Sequence, residues 1–134
     1  MKQPMYWHQM AAPVGQLLLV SDGQALTGIG FSTGKGRIER DPAWKAAPQV
    51  FEEAVRQLDE YFAGTRRDFT LPLAPTGTPF QLQVWRTLQR IAYGSTWTYR
   101  DLARAIGNGG AVRAVGLANG RNPLPIVVPC HRVI

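Results

Sequence analysis

The chain predicts an α+β protein, a small antiparallel β-sheet lobe with a helix followed by a helical domain. Three observations carry this. The first third alternates β-favouring runs with turn residues, above all in "LLLVSDGQALTGIGF", where Asp22-Gly23 between two such runs is a hairpin signal. Residues 48–63 then carry apolar side chains at helical spacing. Towards the C-terminal end, two short helical segments flank the turn "GNGG", the pattern of a helix-turn-helix.

In chain order, "MYWHQM" leads into a tight turn marked by Pro13 and Gly15, and the strands around it build a sheet over roughly residues 4–31. The next stretch, "STGKGRIERDPAWKAAP", is rich in Gly, Pro and charge and reads as a loop. Here "GIGFSTGKG" imitates a phosphate-binding loop. Ile29 stands where that motif requires its first glycine, and Gly36 where Ser or Thr must follow Lys35, so the motif fails. His8 has no metal-ligand partners at useful spacing and reads as a surface or packing residue. Val50, Phe51, Ala54, Val55, Leu58, Tyr61 and Phe62 make the apolar side of the first helix, and Gly64 stops it. The proline-rich "TRRDFTLPLAPTGTP" is an extended connector, dividing the chain into an N-terminal lobe, 1–72, and a second domain, 73–134.

The second domain opens with the helix "PFQLQVWRTLQRI", with Phe80, Val84, Leu88 and Ile91 on one side. Thr98 and Asp101 form a capping box for the next helix, along which Tyr99, Leu102, Ala103 and Ile106 recur at helical spacing. In the last helix, "AVRAVGLANG", Val112, Val115 and Asn119 share one side, while Arg113, Gly116 and Gly120 share another, with Leu117 beside them. A helix that reads bases in the major groove presents several Asn, Gln, Arg or Lys side chains. This one presents Ala111, Ala114, Gly116, Ala118 and Gly120, which let a backbone approach a minor groove closely, and Arg113, long enough to enter the base stack. Small residues equally permit tight helix–helix packing, and helix geometry leaves both readings open.

The charge distribution points to nucleic acid. The 134 residues carry a net charge of +6, with 45% hydrophobic and 18% charged residues, an ordinary globular balance that excludes disorder. Residues 1–76 hold eight basic and eight acidic side chains. Residues 77–134 hold seven arginines (Arg86, Arg90, Arg100, Arg104, Arg113, Arg121 and Arg132) against Asp101 alone. An excess of phosphate-pairing guanidinium groups confined to one half is the footprint of a nucleic-acid binder, rather than of a generic basic surface. The N-terminal "MKQPMYWHQM" has no long apolar run, so the sequence predicts neither signal peptide nor membrane span, and the single cysteine suits a reducing cytoplasm.

That cysteine lies in "RNPLPIVVPCHRVI". A lone cysteine is most often a small buried hydrophobe. Cys130, however, follows Pro129, which restricts its backbone, and precedes His131 and Arg132, side chains of the kind that favour a thiolate. Asn122-Pro123 is a turn signal ahead of it.

The stretch from "TGTPFQLQVW" through "AVRAVGLANGRNPLPIVVPCHRVI" resembles the catalytic domain of the O6-alkylguanine-DNA alkyltransferases, the methylated-DNA–protein-cysteine methyltransferases. Pro-Cys-His-Arg-Val is its most specific signature, and "APVGQLLLVSDGQALTGIGF" resembles the family's first strands. The resemblance implies a ribonuclease-H-like N-terminal lobe and a winged-helix-like second domain carrying DNA binding and the active site. It implies that Cys130 takes the alkyl group from O6 of a flipped-out guanine, with His131 acting through a water as base. Tyr99 would donate toward N3 of the base, Arg113 would fill the gap in the stack, and Asn122 would brace the turn. The carbonyls of Cys130 and Val133 would accept from the guanine amino group, with Tyr99 and Pro125 also lining the pocket. Thr98, Arg100, Ala114, Gly116 and Arg121 would join Arg113 in contacting DNA.

The resemblance implies no cofactor, metal or obligatory protein partner, and a double-stranded DNA partner gripped with little sequence preference. Zinc-binding cysteines that some relatives carry in the N-terminal lobe are not in this sequence. The family pattern continues with a Tyr-x-Gly-Gly segment and a helix ending in Leu-Leu-x-x-Glu, whose Glu orients the histidine. This sequence ends at Ile134, before those residues, so the resemblance reads it as a fragment. Two other readings follow from the same residues: a module that grips alkylated DNA without transfer, and a helix-turn-helix transcription factor. Alkyltransferase-like proteins carry Trp where Cys130 stands, which favours transfer, and the shortage of base-reading side chains disfavours the transcription factor.

Overall fold

The computed structural model describes residues 3–34 and 36–134; Lys2 and Lys35 lie outside the described residues. The chain forms two compact units, Met1–Pro75 and Thr76–Ile134.

In the first unit, β1 (Tyr6–Ala12) and β2 (Gly15–Ser21) pair antiparallel from Tyr6↔Ser21 to Ala12↔Gly15, leaving Pro13 and Val14 as the turn. β3 (Leu26–Phe31) pairs antiparallel with the other edge of β2. The Asp-Gly hairpin forms, but the register shifts between Val20 and Ser21, so its loop is longer than two residues. Asp22 Oδ1 closes that loop by accepting from the N–H groups of Gln24 and Ala25 at 2.9 Å each. These donors hold the Asp22 carboxyl below the usual carboxylate range.

The expected antiparallel sheet needs one correction. A short β4 (Lys45–Ala46), inside the stretch read as a loop, pairs parallel with β1 and completes the order β3-β2-β1-β4. Without it the outer edge of β1 would present unpaired peptide groups. Lys45 N donates to Met5 O at 3.0 Å and Ala47 N to Trp7 O at 3.1 Å. The sheet is therefore mixed.

Pro48–Phe51 makes one 3-10 turn and leads into α1 (Glu52–Phe62), whose inner side buries Ala54 and Leu58 with Phe51 ahead of them. His8 stacks on the Phe51 ring, a packing residue. Gln57, also buried, does what its apolar neighbours cannot. Its Nε2 donates to Thr70 Oγ1 at 3.0 Å and its Oε1 accepts from Thr70 N at 2.9 Å. The proline-rich connector is thus tied down, with Pro72 and Ala74 also bonded to Leu26.

The second unit contains α2 (Pro79–Leu88), α3 (Tyr99–Ala105), α4 (Val112–Gly120) and a closing 3-10 turn, Cys130–Arg132. Thr78 and Gln81 form a capping box for α2 that the sequence reading passed over. α2 ends three residues earlier than expected, because Gln89, Arg90 and Ile91 bond three residues back and tighten the chain. Val84, Leu88 and Ile91 are still buried together. Trp85 donates from Nε1 to Ala118 O at 2.8 Å, tying α2 to α4. Gly77 has to be glycine, since a Cβ there would lie 2.6 Å from the Trp85 ring. Among the described residues no helix is long and apolar enough to cross a membrane.

Candidate active site

α3 begins where Thr98 accepts from Asp101 N at 3.0 Å and Asp101 accepts from Thr98 N at 2.9 Å, the expected capping box. This fixes half-buried Tyr99 at the first helical position. The turn at Gly107, with φ +81°, then sets α4 against α3. Val115, Ala118 and Asn119 of α4 are buried; Val112, expected beside them, is 37% exposed at the start of the helix. Arg113, Ala114, Leu117, Gly120 and Arg121 face solvent, as do Thr98 and Arg100. Gly116 does not lie on that open face. It sits against Tyr99, whose ring carbons would be 3.6 Å from a Cβ on the glycine.

After α4 the chain turns twice. Asn122 accepts from Leu124 N at 2.9 Å through Oδ1 and donates through Nδ2 to Val128 O at 2.8 Å. Between these contacts Leu124, Val127 and Val128 are buried, Pro125 is half-buried, and Ile126 takes φ +77°. A β-branched residue in the left-handed region is strained, and persists only where its surroundings enforce it. Pro129 follows with φ −82° and ψ 64°, and Cys130 N donates to Val128 O at 2.8 Å, an inverse γ-turn centred on the proline.

The cysteine is therefore held from both sides of its peptide. On the N-terminal side, Val128 O accepts from Cys130 N and from Asn122 Nδ2. On the C-terminal side, Cys130 O accepts from Val133 N and from Asn119 Nδ2, each at 3.3 Å. Val133 is buried, and Trp97 bridges to it, with Trp97 N donating to Arg132 O and Ile134 N to Trp97 O at 2.9 Å each. Arg132 donates to Ile91 O at 2.8 Å and lies over the Tyr93 ring. Cys130 itself is half-buried. His131 is exposed, yet its partial burial costs the charged form solvent. That burial, and then the Arg132 charge, hold its pKa below the ordinary value.

Asn119 had no site role in the sequence reading, which placed it only on one side of its helix. A polar residue four positions beyond buried Val115 was the available signal. Among the described residues no group of three or more His, Cys, Asp or Glu side chains is placed to hold a metal ion.

An arginine-bearing helix-turn-helix followed by a braced, half-buried cysteine on the closing turn defines the class of a nucleic-acid-binding protein with a single thiol. The comparisons narrow this class. The 6-O-methylguanine DNA methyltransferase ribonuclease-like domain matches residues 5–75, and the DNA binding domain of the same family matches residues 79–134. The chain belongs to the 6-O-methylguanine DNA methyltransferase family. It is 49% identical over 130 residues to the methylated-DNA–protein-cysteine methyltransferase of Methanosarcina acetivorans, covering 97% of this chain and 83% of that protein. It is 45% identical over 137 residues to the constitutive enzyme of Bacillus subtilis, covering 96% and 80%. The crystal structure of Mycobacterium tuberculosis OGT in complex with DNA matches with a TM-score of 0.88 at 43% identity, over 96% of this chain and 78% of that one.

Proposed function

We propose that this chain repairs DNA by moving the alkyl group from O6 of guanine in duplex DNA irreversibly to Cys130, one turnover per molecule. The observation that carries this is the placement of the only cysteine, half-buried in a turn whose peptide is tied to the helix-turn-helix by Asn119 and Asn122. Cys130 attacks as thiolate, in line with the bond between the alkyl carbon and O6. The S–C bond forms as the C–O6 bond breaks, the electron pair leaves with the base, and the thiol proton passes through His131 and a water. Tyr99 donates toward N3, so that guanine leaves neutral. The product is a thioether, which thiol reductants do not reverse.

In this reading residues 73–134 are the DNA-binding and active-site domain, and residues 1–72 the N-terminal lobe. α4 enters the minor groove and reads little sequence, since its open face offers Arg113, Ala114, Leu117 and Arg121 rather than a set of base-reading amides. Arg113 fills the space of the flipped base, and Thr98, Arg100 and Arg121 contact the backbone, with Ala114 allowing close approach. Pro125, Val133 and Tyr99 line the base pocket, and Asn122 braces the turn. The chemistry needs neither metal nor cofactor and no obligatory protein partner, and the protein works in the cytoplasm.

The test is intact mass after incubation with a duplex carrying one O6-methylguanine. One added methyl that maps to Cys130 and is absent in Cys130→Ser is expected. An unchanged mass with DNA binding intact would leave a protein that grips alkylated DNA without transfer.

A further inference from the structure

Two asparagines reach the cysteine turn, and they are not equivalent. Asn122 uses both ends of its carboxamide in bonds of 2.8 and 2.9 Å. Asn119, 7% exposed, uses one. Its Nδ2 donates to Cys130 O at 3.3 Å, and its buried Oδ1 meets no protein donor among the described residues. The orientation of this amide is determined, because turning it over would set two acceptors against each other. Cys130 O is meanwhile shared with Val133 N, also at 3.3 Å, so both its lone pairs are occupied by long bonds. A buried acceptor without a donor is a standing cost, and a long bond is easily given up.

The substrate's chemistry shows what this arrangement controls. O6, N1 and the 2-amino group lie in succession along one edge of guanine. Once O6 is alkylated, the amino group is the only donor left on that edge. In the alkyl-transfer reading, with the alkyl carbon against Cys130 Sγ, the carbonyl of the same residue is the acceptor offered to that one donor. We propose that Asn119 is a specificity-determining positioning residue. It competes for the Cys130 carbonyl and thereby sets how strongly the site prefers a purine bearing a 2-amino group. This rests on the alkyl-transfer reading. In the base-free protein Asn119 holds the carbonyl in place. When the base is seated, the amide rotates away and the amino group takes over that lone pair.

The experiment compares transfer rates from duplexes carrying O6-methylguanine or O6-methylhypoxanthine, which lacks the amino group, for the wild-type chain and Asn119→Leu. Leucine keeps the bulk and removes the competing donor. The guanine-to-hypoxanthine rate ratio is expected to rise roughly three- to tenfold, the worth of one hydrogen bond. A ratio that stays the same or falls, in a variant that still transfers, overturns the proposal. No transfer from either base by the wild-type chain would instead sink the alkyl-transfer reading. Should Asn119→Leu not fold, the side-chain amide resonances of Asn119 in Cys130→Ser decide. They are expected to shift on binding the methylguanine duplex and not the methylhypoxanthine duplex; equal behaviour with both overturns the proposal.

Discussion

The two units use arginine in opposite ways. In the first, Arg56 pairs with Glu53 and Glu60, Arg66 with Glu60, and Arg37 with Glu39. In the second, Asp101 is the only acidic side chain, and its carboxylate is committed to the Thr98 cap. Among the described residues no ion pair neutralises Arg100, Arg113 or Arg121. Exposed ion pairs stabilise a fold only slightly. Their use in the first unit is to leave that surface electrically quiet, so the field of the molecule comes from the second.

Reversing charge is the strongest way to break this contrast. Arg113→Glu is expected to weaken duplex binding about a hundredfold, while Arg56→Glu leaves it within about twofold, as titrations at fixed salt would show. If both lose affinity equally, the division of labour is wrong. Removing a brace comes next. Asn122→Ala leaves Val128 O and Leu124 N short of a partner and is expected to destabilise the second unit by about 2 kcal/mol in urea unfolding. The same truncation at exposed Gln9 of the first unit should cost nothing measurable.

Smaller effects sharpen the comparison. Arg121→Ala should lower the slope of log affinity against log salt by about one, the signature of one lost phosphate contact. His131 has a pKa below the ordinary 6.5, so it stays neutral and able to accept a proton into more acidic solution. The transfer rate should therefore hold through pH 6.5 and bend only below it; a bend at or above the ordinary value would contradict the role of base. The smallest effect belongs to the first unit. Glu53, lowered to about 2 by its bonds to Arg56 and Gln57, contributes stability that is present above its unfolded value and lost as pH falls toward about 2. Exposure screens that contribution. The difference in melting temperature between wild type and Arg56→Ala should be slight at neutral pH and vanish in strong acid.

Much of this was legible in the residues because it depends on neighbours in sequence. The capping box of Thr98 and Asp101, the first helix ending at Gly64 and the Pro-Cys-His turn all follow from local chemistry. What escaped depends on residues far apart. β4 has only two residues, too few for any periodicity, and exists because β1 has an edge to cover. Gln57 carries no local signal of its role, which lies in its bonds to Thr70, thirteen residues on. Asn119 likewise becomes meaningful only through Cys130, eleven residues away. Gly116, expected on an open surface, is half-buried and packs against Tyr99.

The left-handed Ile126 has a counterpart in the chain around it. Pro123, Pro125 and Pro129 restrict three nearby φ angles before any folding occurs. The unfolded ensemble of this segment is therefore already narrow, and ordering it forfeits little entropy. That saving offsets the strain at Ile126. It also means that replacing one of these prolines by alanine would act mainly by loosening the denatured chain, leaving the contacts of the native turn almost as they are.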